Sequence, residues 1–205
     1  MKTFRTFITV FLGILIFAQP VFAATYAVDK DHTSVSFKIR HILSRVQGQF
    51  RGFEGSFDYD PEKPDTWKVN ATVQTSSIDT GVGKRDEHLR SADFFEVEKY
   101  PALTFKSTEV TDVTPDHAKL HGLLAIHGVE KPVVFDLEIL GTAKDPWGNV
   151  HASFTATTKI NRKDFGLNWN QVLEAGQVLV GEEVEITLDV EGTRSEKATA
   201  SGTAQ

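Results

Sequence analysis

Arg85 to Ser107 reads R-D-E-H-L-R-S-A-D-F-F-E-V-E-K-Y-P-A-L-T-F-K-S. Arg85 to Arg90 mixes charges densely and shows no strand alternation. Two short helical turns are expected, one begun by Asp86 and the next capped by Asp93, whose side-chain oxygen can accept a free backbone N–H. Phe94 and Phe95 follow at once, so this is no ordinary polar linker. Tyr100-Pro101 ends any helix, and Leu103, Phe105 and Ser107 resume alternation. The stretch reads as a long, structured connection between two strands, with an aromatic step in it. Such connections are uncommon and often functional. Two roles stay open: Phe94 and Phe95 face a ligand, or they plug one end of a barrel.

Working outward, period-two alternation covers nearly the whole chain. Val35, Phe37 and Ile39 share a face, as do Trp67, Val69, Ala71 and Val73. Leu120, Gly122, Leu124 and Ile126 form another set, and Val133, Phe135, Leu137 and Ile139 the next. Val150, Ala152, Phe154, Ala156 and Ile160 follow, then Val184, Ile186, Leu188 and Val190. Successive side chains of a strand point to opposite faces, so each run predicts a half-buried strand. One run changes parity: Val46, Gly48 and Phe50 are even, whereas Phe53, Gly55 and Phe57 are odd. A bulge or bend near Arg51-Gly52 keeps one inner face. Asp60-Pro61, Gly128 and Asp145-Pro146-Trp147-Gly148 supply turns. The expectation is all-β: one extended antiparallel up-and-down barrel of about eight strands, with a short helical segment in the 79–100 connection. Small residues on the inner face (Ala71, Ser107, Gly122, Ala152, Ala156 and Thr158) favour a ligand-holding barrel, although they also fit the taper of a filled one.

Met1 to Ala23 has the build of a secretory signal. Lys2 and Arg5 precede an apolar core from Phe7 to Phe17, and Val21-Phe22-Ala23 offers a cleavage site after Ala23. The core is too short for a comfortable membrane span. The expectation is a secreted domain over 24–192 and a polar, flexible tail over 193–205. Cleavage moves the formal charge from −6 to −8, because two bases and no acid are lost. An acidic domain is a poor fit to nucleic acid. The chain has no cysteine, which excludes thiol catalysis, thiolate metal sites and disulfides.

The motifs of catalysis are missing. The seven histidines are scattered, and His117 and His121 lack the Glu of a zinc-protease helix. There is no nucleophile elbow and no glycine-rich phosphate loop. No catalytic residue, metal ligand or cofactor is assigned. A second aromatic loop, N-R-K-D-F-G-L-N-W from Asn161 to Trp169, is placed beside Phe94 and Phe95 at a barrel mouth. There Arg162 or Arg85 would meet a polar head group.

Taken together, Y-x-V-D with H-x-S-V-x-F (Tyr26 to Phe37), S-I-D-T-G (Ser77 to Gly81), the long central stretch, H-G-V-E-K-P (His127 to Pro132), I-N-R-K-D-F-G-L (Ile160 to Leu167) and V-G-E-E-V-E-I (Val180 to Ile186) are familiar. The chain resembles the YceI-like family of bacterial periplasmic polyisoprenoid-binding proteins from Tyr26 to Glu191. Glu130 stands where that family usually has Thr. The resemblance implies a lipocalin-like barrel around a long apolar channel, an isoprenoid quinone or prenyl carrier as ligand, and no established reaction. Parity and the aromatic loops assign the channel wall to Phe37, Ile39, Phe94, Phe95, Phe105, Leu124, Ile126, Phe135, Phe154, Phe165 and Trp169. Arg85, His88 and Arg162 are assigned to the head group. Transient membrane contact and a homodimer are partner expectations. Two alternatives stay open: an enzyme acting on an isoprenoid or its head group, and a stress-linked interaction protein with a filled barrel.

Overall fold

The computed structural model describes residues 23–173 and 176–195. Residues 1–22 of the predicted signal and 196–205 of the predicted tail lie outside them. Alternation yields strands wherever it was strong. β1 (Ala24–Val28), β2 (Ser34–His41), β3 (Ser44–Phe50), β4 (Phe53–Tyr59), β5 (Lys68–Gln74) and β6 (Ile78–Asp79) lead to helix α1 (Gly83–Arg90). Then come β7 (Ala102–Thr111), β8 (His117–Ile126), β9 (Val129–Lys144), β10 (Val150–Asn161) and β11 (Val180–Arg194).

These strands close an antiparallel eight-stranded barrel. Three of its staves are broken in two: β1 with β2, β3 with β4, and β5 with β6. β11 closes the ring by pairing along Val180–Asp189 with β2 and along Gly192–Arg194 with β1. Counted as eight staves, every other neighbour is the next in sequence, which is the up-and-down order. The parity change is resolved by the predicted bend. The Gln74 N–H donates to Gly52 O at 2.8 Å, the Arg51 N–H to Ser77 O at 3.2 Å, and Phe50, Phe53 and Phe57 are all buried. A bend without an inserted half-turn would have put one of these sets in water.

The interior has two apolar clusters. One holds Tyr26, Phe57, Tyr59, Trp67, Phe135, Leu137 and Phe154. The other, toward α1, holds Phe50, Ile78, Leu103, Leu124, Ile126, Phe165 and Leu167.

The central stretch departs from expectation in detail. α1 begins at Gly83 without a side-chain cap, so Asp86 does not start it. Asp86 is buried in the first turn, where its Oδ1 accepts from the Thr80 N–H at 2.9 Å and the Thr80 hydroxyl at 2.5 Å. Asp93 caps nothing; its Oδ2 lies 2.8 Å from His88 Nε2. After α1 the chain continues in turns. Arg90 Nη2 donates to Ile78 O, and the Thr75 hydroxyl donates to Tyr100 O at 2.7 Å. Both bonds strap the connection to the barrel. β11 also outruns the expected boundary, because Thr193 pairs with His151 and Arg194 with Tyr26.

Candidate functional site

A single cavity of about 640 Å³ runs along the barrel between the two clusters. Its wall is overwhelmingly apolar. At one end it meets Tyr59, Trp67, Leu137 and Val190; at the other it meets His41, Val82, Lys84 and Trp169. Lys84 and Val82 are exposed, so the cavity opens to solvent beside α1. Thr33, Glu54 and Asp58 join the wall on the flank where β1 gives way to β2.

Of the residues assigned from sequence, Phe37, Ile39, Phe94, Phe95, Phe105, Leu124, Ile126, Phe135, Phe154 and Trp169 line this cavity. Phe165 does not. It is 2% exposed and packs as a plug in the cluster around Leu124 and Ile126. The small-residue argument also needs correction. Ala71 and Ala156 line the cavity, whereas Ala152 is packed into the core and Ser107 and Thr158 lie off the wall. A Cβ at Gly122 would overlap the Phe105 ring, so that gap is already filled. Thr80, Val82 and Leu89 line the cavity too. Sequence reasoning missed Leu89 because α1 has no apolar stripe to mark a buried face, and Thr80 and Val82 because they precede α1 in a connection with no periodicity to read. Phe50, Phe53 and Phe57 are further wall residues that the inner-face parity already contained.

At the α1 end the two aromatic loops meet. Phe94 and Trp169 have ring centroids 5.1 Å apart, and His88 stands edge-on to both, at 5.1 and 4.8 Å. Phe95 packs edge-on to Phe50 at 5.8 Å. Arg85 lines the cavity but is held to Thr80, donating from Nε to its hydroxyl at 2.7 Å and from Nη2 to its carbonyl at 2.9 Å.

Arg162 is the exceptional group. Asn161 Oδ1 accepts from the Lys163 N–H and starts a 3-10 turn over Arg162–Phe165, which left-handed Gly166 ends. That turn drives Arg162 inward until it is 3% exposed. Its Nε donates to Gly181 O at 2.8 Å and its Nη1 to Leu167 O. Its Nη2 is buried, lies in a cavity-lining residue and has no partner. Burial pushes the guanidinium below its ordinary pKa, with the Glu182 carboxylate working against it. Glu182 is itself engaged by Lys163 at 2.5 Å. A buried guanidinium with a free N–H2 is costly unless an acceptor arrives.

Some ionisable groups sit apart from the wall. His127 Nε2 is buried 3.6 Å from Glu96, with its ring against Tyr100. Asp29, His32 and Glu191 converge on the outer surface, where His32 Nδ1 is already 2.9 Å from Asp29.

A closed eight-stranded barrel around one long apolar cavity defines a barrel of the kind that holds an apolar ligand. Residues 26–192 match the YceI-like domain model, and the chain belongs to that family. A UPF0312 protein of Azotobacter vinelandii is 42% identical over 183 residues, which is 88% of this chain and 92% of the relative. One from Pseudomonas aeruginosa is 39% identical over 194 residues, 93% of this chain and 98% of the relative. Among solved structures, the Campylobacter jejuni YCEI protein superposes with a TM-score of 0.67 at 33% identity, covering 82% of this chain and 96% of that one. A polyisoprenoid binding domain from Saccharophagus degradans shares the fold, with a TM-score of 0.62 at 16% identity, 84% of this chain and 99% of that one.

Proposed function

We propose that this is a periplasmic protein that holds or carries a polyisoprenoid lipid, an isoprenoid quinone or a prenyl carrier. The prenyl chain lies toward Tyr59, Trp67 and Phe154, and the polar head lies at Arg162. One observation carries the reading: a long apolar cavity lined in part by Arg162, a buried guanidinium that keeps one nitrogen without a partner. An apolar chain with one oxygen-bearing end matches both features. The family match and the polyisoprenoid-binding neighbour support it.

The energetics favour carriage over storage. Each buried CH₂ contributes about 0.8 kcal/mol relative to water, so a five-carbon unit contributes roughly 4 kcal/mol. A bilayer offers nearly the same gain, and exchange between protein and membrane is close to neutral. The bond from Arg162 to the head group then decides the direction.

The test is mass spectrometry of protein purified without detergent, before and after organic extraction. The expected result is a discrete mass rich in isoprene units, released by solvent. A protein that carries none, and takes up neither a quinone nor a prenyl phosphate, would rule the reading out.

One observation favours a second reading, an enzyme acting on the head group. His88 lines the cavity and its Nε2 is 2.8 Å from Asp93, the acid–base pairing such chemistry uses. Turnover of a prenyl phosphate that disappears in His88→Ala would establish it.

A further inference from the structure

The hairpin joining β2 to β3 breaks two rules of strand chemistry at once. His41 pairs with Ser44, leaving Ile42-Leu43 as a two-residue turn. Ile42 adopts φ 52°, the left-handed conformation that costs a β-branched side chain most. Turns of this length ordinarily use Asn or Gly there. The same chain shows the ordinary solution at the β8–β9 turn, where His127-Gly128 takes φ 52° and 76°. The strained tip is also apolar and in water: Leu43 is 91% exposed. Two pairs below the tip, Arg40 faces Arg45 directly across the ladder. Like charges in that position repel; Glu185, 3.5 Å from Arg45, offsets part of this. Inside the fold the tip gains two hydrogen bonds, from Arg40 Nη1 to Ile42 O at 3.0 Å and from the Ile42 N–H to Leu179 O, and neither needs an apolar side chain at 42 or 43. Local rules broken together there mark a surface shaped for something outside the fold.

The place of this tip in the fold says what that is. Ile42 N–H donates to Leu179 O at 2.9 Å, and flanking His41, Val46 and Val180 line the cavity. The tip therefore rims the opening beside α1. Val172, 75% exposed, stands on the neighbouring loop, which bonds to this hairpin through Leu179. Val82, 48% exposed, stands at the start of α1 beside Lys84 and Arg85. An apolar tip backed by bases fits the interface of an anionic bilayer, with the side chains in the acyl boundary and the arginines among the phosphates. On the flank where β1 gives way to β2, the wall carries the opposite charge, Glu54 and Asp58. In an acidic chain the basic rim also fixes which end approaches.

We propose that the β2–β3 hairpin docks the mouth of the barrel on an anionic phospholipid bilayer, inserting Ile42 and Leu43 and seating Arg40 and Arg45 on lipid phosphates. The purpose of docking, passage of lipid between bilayer and cavity, rests on the lipid-binding reading; the hairpin geometry does not.

The test is co-sedimentation with vesicles of phosphatidylethanolamine and phosphatidylglycerol, against vesicles of phosphatidylcholine. The variants are Ile42→Asn/Leu43→Ser and Arg40→Gln/Arg45→Gln. Asn accepts left-handed φ and position 43 is exposed, so the first variant melts no lower than the wild type. Its partition onto the mixed vesicles falls by about tenfold or more. The arginine variant loses the preference for phosphatidylglycerol. Isoprenoid content is measured on the same preparations, so that docking and lipid carriage are read separately. Equal sedimentation of the wild type and the Ile42/Leu43 variant overturns the proposal. So does a dimer in sedimentation velocity that the variant abolishes while vesicle binding stays absent. Wild type that docks but never contains isoprenoid supports the docking surface and removes the carrier reading.

Discussion

At the residue scale, the account turns on polar groups placed against burial. Arg162 satisfies the Gly181 and Leu167 carbonyls while keeping one nitrogen free. Arg162→Leu strips both carbonyls of their donor and should lower stability by roughly 2 kcal/mol, read from urea unfolding. The same variant should retain prenyl chains with no discrimination between head groups. Unchanged discrimination in a folded variant would show that the head lies elsewhere. Asp145 tests a different balance. Burial works to raise its carboxyl, but bonds from the Asn149 side chain, His151 and the Asn149 and Trp147 backbone N–H groups outweigh it, taking it from 3.8 to about 2. A depressed carboxyl contributes stability above its unfolded pKa and loses it as pH falls through the folded one. The melting difference between wild type and Asp145→Ala should be full at neutral pH, shrink below about pH 4, and vanish near pH 2. A difference independent of pH would contradict the assignment. Arg162 shows the limit of sequence at this scale. Its loop was legible, but its burial depends on Gly181, far along the chain, which no local pattern reports.

At the scale of elements, the alternation that predicted the strands also predicted their faces, because one face is buried and a slip of one residue would expose it. The bend at Arg51-Gly52 was legible for the same reason. The central stretch was legible as an ordered connection, but its capping was not. Asp86 and Asp93 are both plausible helix starters, and only the positions of Thr80 and His88 decide what they bond. Phe165 was misassigned because a loop has no face to read; an apolar side chain there packs as a plug or lines a wall according to its distant neighbours. The Gly128 turn ties this connection down. Gly128 has φ 76°, and a Cβ there would come within 2.6 Å of the Tyr100 ring. Gly128→Ala should therefore cost about 1–3 kcal/mol and loosen the 85–107 connection. Faster hydrogen exchange at Phe94 to Tyr100 would show this, and native exchange in the variant would refute the tie.

At the scale of the whole molecule, the barrel and its closure followed from the number and spacing of the strands. Whether the barrel is filled did not. Inner-face small residues suggested space, yet Phe105 fills the gap at Gly122 and Ala152 is packed shut, so the opening is set by how large neighbours lean. Ala156 lies on the wall and Ala152 does not, which separates blocking the channel from breaking the core. Ala152→Trp overpacks a site that is 1% exposed and should destabilise by about 1–3 kcal/mol. Ala156→Trp can place its ring in the cavity and should remain folded. The most direct test of the central claim is native mass spectrometry of wild type and Ala156→Trp, purified side by side without detergent and offered the same isoprenoid quinone. The account predicts a one-to-one lipid adduct on the wild type and its loss or sharp reduction on the folded variant. Equal adducts on both, or none on the wild type, would contradict it.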